Sequence, residues 1–399
     1  MNMKTLYLFT SEYPYGRMEN FLDTELPYLC ERFPKVVIVP ISGAGKTMRP
    51  VPVNCEVMEP IRHGKKDALL HGFSIRRLPF FLCEFFKHKV WKKKSRFRSY
   101  VFAVINANNY LHNSRFKEVL RNVKKDDVFY SYWGKVGTDL WPFVRGKVKL
   151  ASRFHGDWDL WGSCDDYAPM RVQTVQALDL AAFISGIGKE YFLGKWQTRN
   201  PQVFPLGTVN RGIVSHRSSD GVIRVVSCST IYSVKRVDLI YRALQLIEDR
   251  KVEWTHIGGG RAIDNGVAEN ELKELASNSR SNVKVNLLGP MSNKDVLKYY
   301  EEHLVDVFVN VSTIEGVPVS IMEAISYNIP AVGTDVGATR EVVTKQSGVL
   351  ISANPSETEV KEAIIKAADS KELNPREHWD KMYNADKNYK KWADALYEL

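Results

Sequence analysis

Short apolar segments alternate with amphipathic segments along most of the chain. In the first half, strands are predicted at Thr5–Thr10 and at residues 36–40, with a helix from about Asn20 between them. Three further strands are predicted at residues 127–133, 147–154 and 182–185. Strands that alternate with helices are typical of a parallel sheet covered by helices. The first half therefore predicts a Rossmann-like domain.

The same alternation resumes after a stretch, residues 206–221, that is rich in Gly, Ser and Arg and has weak periodicity. We interpret this stretch as an interdomain linker. Beyond it, six strands are predicted, at residues 223–227, 252–257, 283–288, 305–311, 331–333 and 348–351. The pattern predicts an α/β chain of two Rossmann-like domains, covering residues 1–205 and 206–378.

The segment 305–343 combines this pattern with candidate chemistry. An apolar strand leads into a turn that carries Glu315, a helix is predicted from Val317, and Glu323 falls in its second turn. Asn328 occupies the expected helix C-cap. In an open parallel sheet such a turn lies at the carboxyl end of a strand, where ligands bind.

The start of this helix is suited to an anion. The backbone amides of Gly316, Val317 and Val319 point out of the helix start, while Pro318 has no N–H. A phosphate would be favoured there, and the flanking carboxylates suit sugar hydroxyls. The alternative is that both glutamates serve only as helix-capping and surface charges.

The two runs EGVPVSIMEA and IPAVGTDVGATREVV resemble the signature of the family 4 retaining glycosyltransferases, whose two glutamates are separated by seven residues. The resemblance implies the GT-B architecture, in which two Rossmann-like domains face each other. It also implies transfer of a sugar from a nucleotide-diphosphate-sugar donor with retention of configuration and no required metal or cofactor. Bacterial enzymes of this kind build capsular and other surface polysaccharides.

In that family the terminal helices cross back to the first domain. The amphipathic tail, from about residue 379 to 399, resembles them. An extra helix on the second domain is the alternative.

The resemblance also assigns roles to residues. Glu315 is expected to hold the donor sugar near the reacting carbon, and Glu323 the ribose. Lys235 matches a family lysine that neutralises the diphosphate, with help expected from Arg236 and the amides of residues 316–319. Thr230 stands where the family has an arginine, so one cation is missing and Arg236 is a candidate to compensate.

Other positions complete the expected donor site. His155 begins the run His-Gly-Asp-Trp-Asp-Leu-Trp, residues 155–161, which resembles the family segment whose histidine faces the donor sugar. A core or capping role is the alternative. Gly259, Gly289 and Met291 follow strands whose ends border the nucleobase in the family. Gly16 lies in the loop after the first strand, where an ordinary turn glycine is equally consistent.

Two short patterns are misleading. Residues 43–47, Gly-Ala-Gly-Lys-Thr, end like a P-loop, but the required earlier glycine is replaced by Pro40 and no helix follows. Residues 157–159, Asp-Trp-Asp, match the D-x-D metal motif of a different class of sugar transferases. That motif is short and common by chance, and nothing else in the chain fits that class.

The 399 residues carry a formal net charge of +10, and the excess is concentrated in residues 76–100, where aromatic residues interleave with Lys and Arg. Such a stretch is typical of binding to an anionic membrane surface. Nucleic-acid binding is one alternative, and a helix that buries Phe80, Phe81 and Phe85 is another. We favour the membrane, with a glycan or polyprenyl-diphosphate-linked acceptor, and expect no nucleic-acid partner.

The location is expected to be cytoplasmic, at the inner face of the membrane. No apolar run approaches the length of a membrane span, the N-terminus reads as a strand and not as a signal peptide, and the five cysteines form no pattern typical of disulfides or zinc. Two other functions stay open: a non-catalytic nucleotide- or nucleic-acid-binding protein, and a related two-domain sugar phosphorylase or epimerase.

Overall fold

The computed structural model describes residues 4–16, 19–43, 45–61, 74–156, 159–160, 167–260 and 266–399. The chain forms two compact units, Met1–Leu206 with Lys387–Leu399, and Gly207–Asp386. Parts of the two misleading patterns, Ala44 and residues 157–158, lie outside the described residues, as does Trp161, the last residue of the run that begins at His155.

The sheet of the first unit has seven parallel strands. Their order is β3-β2-β1-β4-β5-β6-β7. The strand order therefore reverses between β1 and β4: β2 and β3 are added on one side of β1, and the later strands on the other. The strands are β1 (Thr5–Thr10), β2 (Lys35–Pro40), β3 (Cys55–Val57), β4 (Val128–Ser131), β5 (Lys149–Phe154), β6 (Leu180–Phe183) and β7 (Pro201–Val203).

The sheet of the second unit repeats this topology with six parallel strands. Their order is β10-β9-β8-β11-β12-β13, with the reversal between β8 and β11. The strands are β8 (Val222–Cys228), β9 (Lys251–Ile257), β10 (Val283–Gly289), β11 (Val307–Asn310), β12 (Ala331–Thr334) and β13 (Gly348–Ile351). The predicted α/β fold class is confirmed, whereas β3 and β7 had not been predicted.

Helices connect the strands in both units. In the first unit they are Leu22–Arg32, Leu78–Lys87, Lys94–His112, Ser114–Asn122, Trp141–Val144, Arg171–Ala177 and Gly186–Leu193. In the second unit they are Val237–Gln245, Val267–Ser277, Asn293–Glu302, Val319–Ser326, Thr339–Val342, Glu357–Asp369 and Pro375–Met382. The last helix is Ala385–Tyr397.

The segment interpreted as a linker packs on the second unit. The Thr208 amide donates to the carbonyl of Tyr383 (2.9 Å), and the Ser215 amide donates to the carbonyl of Tyr327 (2.9 Å). The unit boundary therefore falls after Leu206, and residues 207–221 are held by backbone hydrogen bonds and do not form a free linker.

The C-terminal tail passes from the second unit to the first later than the expected residue 379. Trp379 is fully buried in the second unit, and its indole donates to the Thr208 hydroxyl (2.7 Å). The change of unit occurs only after Asp386. In the first unit, Trp392 is buried in the core and its indole donates to Glu25 (2.9 Å), a carboxylate that also pairs with buried Arg153 (2.6 Å).

The basic, aromatic stretch forms two helices with different faces. Phe81 packs with Ala103, Val104, Ala107 and Met170 in a small core, while Phe80 is only partly buried and packs against it. Seven large apolar side chains of the same region are exposed: Ile75, Leu78, Leu82, Phe86, Trp91, Phe97 and Phe102. Of the three phenylalanines in the core alternative, only Phe81 is buried, while Phe80 and Phe85 are half-buried. The outer face is apolar and basic. Among the helices that the structure describes, none is long and apolar enough to cross a membrane.

Candidate functional site

Two oppositely charged side chains meet where the strand order of the second unit reverses. Lys235 ends a short 3-10 turn, Ser233–Lys235, that follows β8, and Glu315 lies in the turn after β11. The Lys235 Nζ lies 2.5 Å from Glu315 Oε1. Both side chains are largely but not fully covered, with 20% and 13% of their surface exposed. A ligand at this edge would therefore meet a cation and a carboxylate together.

Backbone and side-chain contacts hold the turn after β11 in place. The Thr313 amide donates to the carbonyl of Val234 (2.8 Å), which ties the turn to the segment that carries Lys235. Asn310 Nδ2 donates to Glu315 Oε1 (3.1 Å), while Asn310 Oδ1 accepts from the Ser312 amide. Glu315 Oε1 is thus fixed by two donors, and within the described residues no donor contacts its Oε2. That second oxygen is placed to accept from a ligand hydroxyl.

Gly337 permits the loop after β12 to approach this turn. Its φ is +54°, and a Cβ at this position would lie 1.8 Å from the carbonyl oxygen of Glu315. The neighbouring Ala338 amide donates to the carbonyl of Gly316 (2.9 Å). Only glycine fits this close approach, so Gly337 is a positioning residue of the site.

The helix Val319–Ser326 begins two residues later than predicted, with Pro318 as its N-cap residue. Within the described part of the chain, the amides of Gly316, Val317, Val319 and Ser320 have no acceptor. These open N–H groups and the positive end of the helix dipole make the helix start suited to an anion, next to Lys235.

Glu323 lies on the same helix, and its side chain is held by the helix Asn293–Glu302, which follows β10. Asn293 Nδ2 donates to Glu323 Oε1 (2.6 Å). Although the side chain is reached by solvent, protein packs closely around the carboxyl group, and this burial raises the pKa of Glu323 to about 7. The group changes charge near neutral pH, which is unusual for a glutamate.

Arg236 does not fill the place of the missing arginine. Its φ is +46°, and its guanidinium donates to the carbonyls of Val311 (2.6 Å), Ser312 (3.2 Å) and Ala353 (2.9 Å). These contacts join the ends of β11 and β13. The expectation that Arg236 compensates for Thr230 is therefore wrong in this geometry, because its donors already serve backbone carbonyls. Thr230 itself is exposed in the loop after β8.

The glycine positions lie at two neighbouring strand ends of the same sheet. The Gly259 carbonyl accepts from the Ile231 amide (2.9 Å), and a Cβ at Gly259 would lie 3.2 Å from Pro290. Gly289 has a φ of +73° with open space where a Cβ would be, and Met291 follows it, partly exposed. The structure thus brings these three residues to the carboxyl edge that carries Lys235 and Glu315.

His155 lies in the first unit, directly after β5. Its Nε2 is 2.9 Å from the carbonyl of Tyr132, so Nε2 carries the proton and Nδ1 the lone pair. Burial, and then the nearby Arg153 cation, lower the pKa of His155 well below its usual value. His155 is therefore a neutral side chain, and its Nδ1 forms no hydrogen bond with a described residue.

Asp159 has a structural role in this loop. Its carboxylate accepts from the amides of His155 (3.1 Å), Gly156 (3.0 Å) and Gly134 (3.1 Å). Burial raises the pKa of Asp159 to about 6. The carboxylate is used within the protein, and among the described residues no cluster of His, Cys, Asp and Glu could hold a metal ion.

Gly16 belongs to the loop after β1, which the protein closes with its own groups. Gly16 has a φ of +66°, and its amide donates to the carbonyl of Thr47 (3.0 Å). Lys46, the lysine of the P-loop-like pattern, pairs with Glu12 (2.7 Å). The structure shows Gly16 as a turn glycine of the first unit, and the P-loop-like pattern as part of the same loop system.

Sequence reasoning missed four residues that build the second unit's site: Asn310, Asn293, Ser320 and Gly337. The two asparagines are unremarkable in the sequence and become visible only through contacts made 5 and 30 residues away. Gly337 lies inside the second of the two family-like runs, so its glycine was a signal that sequence reasoning left unused.

A comparison with protein families covers the unit that carries this site. Residues 213–386, almost all of the second unit, match the family described as Glycosyl transferases group 1. The GtfA subunit of a UDP-N-acetylglucosamine–peptide N-acetylglucosaminyltransferase from Limosilactobacillus reuteri is 23% identical over 344 residues, 75% of this chain. The chain spans 62% of the length of that relative.

Solved structures share the whole-chain fold. A glycosyltransferase from Rickettsia africae superposes with a TM-score of 0.70 and 14% identity, covering 100% of this chain and 99% of its own. HepE from Anabaena, solved with UDP and glucose, gives 0.64 and 15% identity over all of both chains. The fold is that of the GT-B glycosyltransferases. The group 1 match in the second unit supports a transferase of the glycosyl-transferring class.

Proposed function

We propose that this protein is a family 4 retaining glycosyltransferase. It moves a sugar from a nucleotide-diphosphate-sugar donor to a glycan or lipid-linked acceptor, in the biosynthesis of a surface polysaccharide such as a capsule. One observation carries the proposal: the Lys235–Glu315 pair lies beside four open backbone amides at the strand reversal of the second unit. A sugar diphosphate offers the matching chemistry, since it has an anion for the amides and Lys235 and hydroxyls for the carboxylates.

The proposed roles follow from charge development. When the sugar–oxygen bond breaks, negative charge collects on the departing diphosphate, and Lys235 with the helix-start amides stabilises it. Because these groups supply the positive charge, we propose that no metal is needed. Glu315 Oε2 accepts from a sugar hydroxyl, Glu323 accepts from the ribose, and His155 accepts from a substrate hydroxyl through Nδ1.

The nearest alternative mechanism is a double displacement in which Glu315 is the nucleophile. We disfavour it because Glu315 Oε1 is held by Lys235 and Asn310 and because a diphosphate leaving group needs little acid assistance. A non-catalytic nucleotide-binding protein and a sugar phosphorylase or epimerase remain outcomes of the tests below.

The first test is a thermal-shift panel of nucleotides and nucleotide sugars on wild type and on Glu323→Ala. UDP sugars come first, because HepE was solved with UDP and the GtfA relative is named for UDP-N-acetylglucosamine. We expect one nucleotide class to raise the wild-type Tm and to lose most of that effect in the variant. If no nucleotide shifts the wild type, the transferase proposal is wrong.

The second test identifies the reaction. With the donor from the panel, NMR of the product is expected to show the donor's anomeric configuration, and transfer is expected to continue in excess EDTA. Release of free sugar alone, or sugar transfer to inorganic phosphate, would favour the phosphorylase alternative.

We further propose that the first unit binds the surface of an anionic membrane. The segment 75–102 carries the exposed apolar side chains, and it also contains a run of three exposed lysines, Lys92, Lys93 and Lys94. Apolar side chains enter the interface while lysines meet anionic head groups, so the two features reinforce each other.

A vesicle sedimentation assay tests this proposal. Changing the three lysines to Glu is expected to abolish binding to vesicles containing phosphatidylglycerol. The matched control changes three exposed lysines of the last helix, Lys387, Lys390 and Lys391, to Glu and is expected to bind nearly as well as wild type. Equal binding by the two triple variants and wild type would refute it.

A further inference from the structure

A cavity of about 390 Å³ lies within the first unit. Its walls come from the helix Lys94–His112, from the loop that follows β4, and from residues 167–174. β4 is the strand at which the strand order of this sheet reverses, and ligands of open α/β sheets bind at such points. The volume is in the range of small-molecule sites.

Two buried polar groups that line this cavity lack a hydrogen-bond partner among the residues that the structure describes. Arg171 is 6% exposed; its Nη2 donates to the carbonyl of Asp159 (2.9 Å), but its Nη1 has no acceptor. Asn106 is 4% exposed; its Nδ2 donates to Asp139 (3.3 Å), but its Oδ1 has no donor. Buried unpaired groups are costly and call for an explanation. A ligand with one acceptor and one donor would satisfy both.

The charges of the lining favour an anion. Arg98, Lys135 and Arg171 line the cavity, opposed by the single carboxylate of Asp139. Burial lowers the pKa of Arg171 to about 10, so its guanidinium is still charged at neutral pH and gains from an anionic partner.

The wall formed by residues 167–174 is rigidly supported. Glu84, which is fully buried, accepts from the Tyr167 hydroxyl (3.2 Å), the Met170 amide (2.9 Å) and Gln173 Nε2 (3.1 Å). Glu84 belongs to the helix Leu78–Lys87, so the basic, aromatic region that carries the exposed apolar side chains also shapes the cavity.

We propose that this cavity binds a sugar phosphate, with Arg171 and the rim cation Arg98 holding phosphate oxygens and Asn106 Oδ1 accepting from a sugar hydroxyl. This ligand is the acceptor of the proposed glycosyl transfer. Its role as acceptor rests on the proposed function, whereas the binding site itself does not. The same chemistry is offered by a free sugar phosphate and by a lipid-linked sugar diphosphate.

Isothermal titration of the full chain tests the site. The probes are N-acetylglucosamine 1-phosphate and N-acetylglucosamine linked through diphosphate to a short polyprenol. Asn106→Asp changes no volume but adds a negative charge inside the cavity, and Arg98→Gln removes a cation at its exposed rim. Each is expected to weaken binding of both probes, Asn106→Asp by about tenfold or more. Asn108→Asp, on the other side of the same helix and facing Arg77, is the matched control and is expected to bind as wild type does.

The outcomes separate this inference from the proposed function. The nucleotide-sugar thermal shift is expected to be unchanged in Asn106→Asp and Arg98→Gln. Probe binding that is sensitive to Asn106→Asp supports the site even if no nucleotide binds, and tighter binding of the lipid-linked probe identifies the lipid-linked source. If wild type binds neither probe at millimolar concentration, or if Asn106→Asp and Asn108→Asp bind both probes equally, the cavity holds only water and the inference is overturned.

Discussion

The two sheets have the same strand order at their centres, yet the backbone amides at their carboxyl edges differ: those after β1 are occupied by a side chain, and those after β11 are open. In the first unit, Glu19 accepts from the amides of Ser11 (2.9 Å), Glu12 (2.9 Å) and Tyr13 (2.8 Å), and from the indole of Trp133 (2.7 Å). A carboxylate of the protein itself thus occupies the amides after β1. In the second unit, the amides at the start of the helix after β11 stay open beside Lys235.

This difference explains why the amides after β11 are available to a phosphate and the amides after β1 are not, although the topology is shared. Strand order places loops at an edge, but the loop's own anion decides whether its amides are available. In the first unit, two of the described buried groups that lack a partner, on Arg171 and Asn106, line the cavity beside the loop after β4. Each unit therefore offers a different kind of site, and variants at the two edges are expected to behave differently.

The largest effect is expected at Lys235. Lys235→Met removes the cation beside the open amides and leaves Glu315 with Asn310 as its only described donor. We therefore expect transfer to fall by about a thousandfold, comparable to the loss of a strong transition-state contact. The measurement is kcat/KM with the donor found in the panel. Lys251→Met, an exposed lysine at the start of β9, is the control and is expected to change kcat/KM less than twofold. Near-wild-type activity of Lys235→Met would refute its role.

The next largest effect is expected on folding stability, at Glu19, which holds the amides after β1. Glu19→Gln places an amide group against four donors, and we expect a loss of about 3 kcal/mol in the free energy of unfolding, because hydrogen bonds to a charged group are lost. Chemical denaturation measures it, with the exposed Glu56→Gln as control. Inorganic phosphate is expected to raise the Tm of Glu19→Gln more than that of wild type, since the amides become available to an external anion. An unchanged stability would show that Glu19 does not close this edge.

A smaller effect is expected at the close approach of the two loops. Gly337→Ala would place a Cβ against the Glu315 carbonyl and displace the turn, so transfer should fall by about thirtyfold through misplacement of Glu315. Gly221→Ala is a matched control: it has a φ of +78° but no atom within 4 Å of the added Cβ. Both variants place an alanine at a positive φ, but only Gly337→Ala also brings the added Cβ against a backbone atom. Equal losses of activity in the two would mean that the turn tolerates displacement.

The smallest effect is a pH dependence of donor affinity. With a pKa of about 7, Glu323 is mostly protonated at pH 6 and mostly ionised at pH 8. Only the ionised carboxylate accepts strongly from both ribose hydroxyls, so donor affinity is expected to rise by several-fold, up to about tenfold, over this range. The same shift means that ionisation of Glu323 lowers folding stability as the pH rises towards and through 7.

Titration calorimetry with a nucleotide sugar measures this dependence. A nucleotide sugar is preferred to a free nucleotide diphosphate, because its phosphates do not titrate in this range. Glu323→Gln is expected to bind with the same affinity at both pH values. A wild-type affinity that is flat, or that falls as the pH rises, would contradict the proposed role.

The sequence predicted features that depend on local order. The strand–turn–helix unit around Glu315 and the position of Lys235 after β8 follow from apolar periodicity and short-range spacing, and the structure brings both to one strand reversal. It did not predict the contacts of Arg236, because the carbonyls of Val311 and Ala353 lie 75 and 117 residues further along the chain.

Nor did the sequence predict that Glu19 closes the loop after β1, or that Trp379 keeps the tail in the second unit as far as Asp386. In each case a side chain is committed by tertiary contacts that leave no local pattern. Helix boundaries have the same limitation: the helix after Glu315 begins at Val319 because Pro318 is its cap.

Amide hydrogen exchange with and without a nucleotide sugar tests the central claim most directly, because it reads both edges in one experiment. We predict slower exchange in the peptide that spans Gly316–Ser320 when the nucleotide sugar binds, and no change in the peptide that spans Ser11–Tyr13, whose amides Glu19 already holds. Binding of the nucleotide sugar that leaves residues 316–320 unprotected, or that protects residues 11–13 instead, would contradict the account.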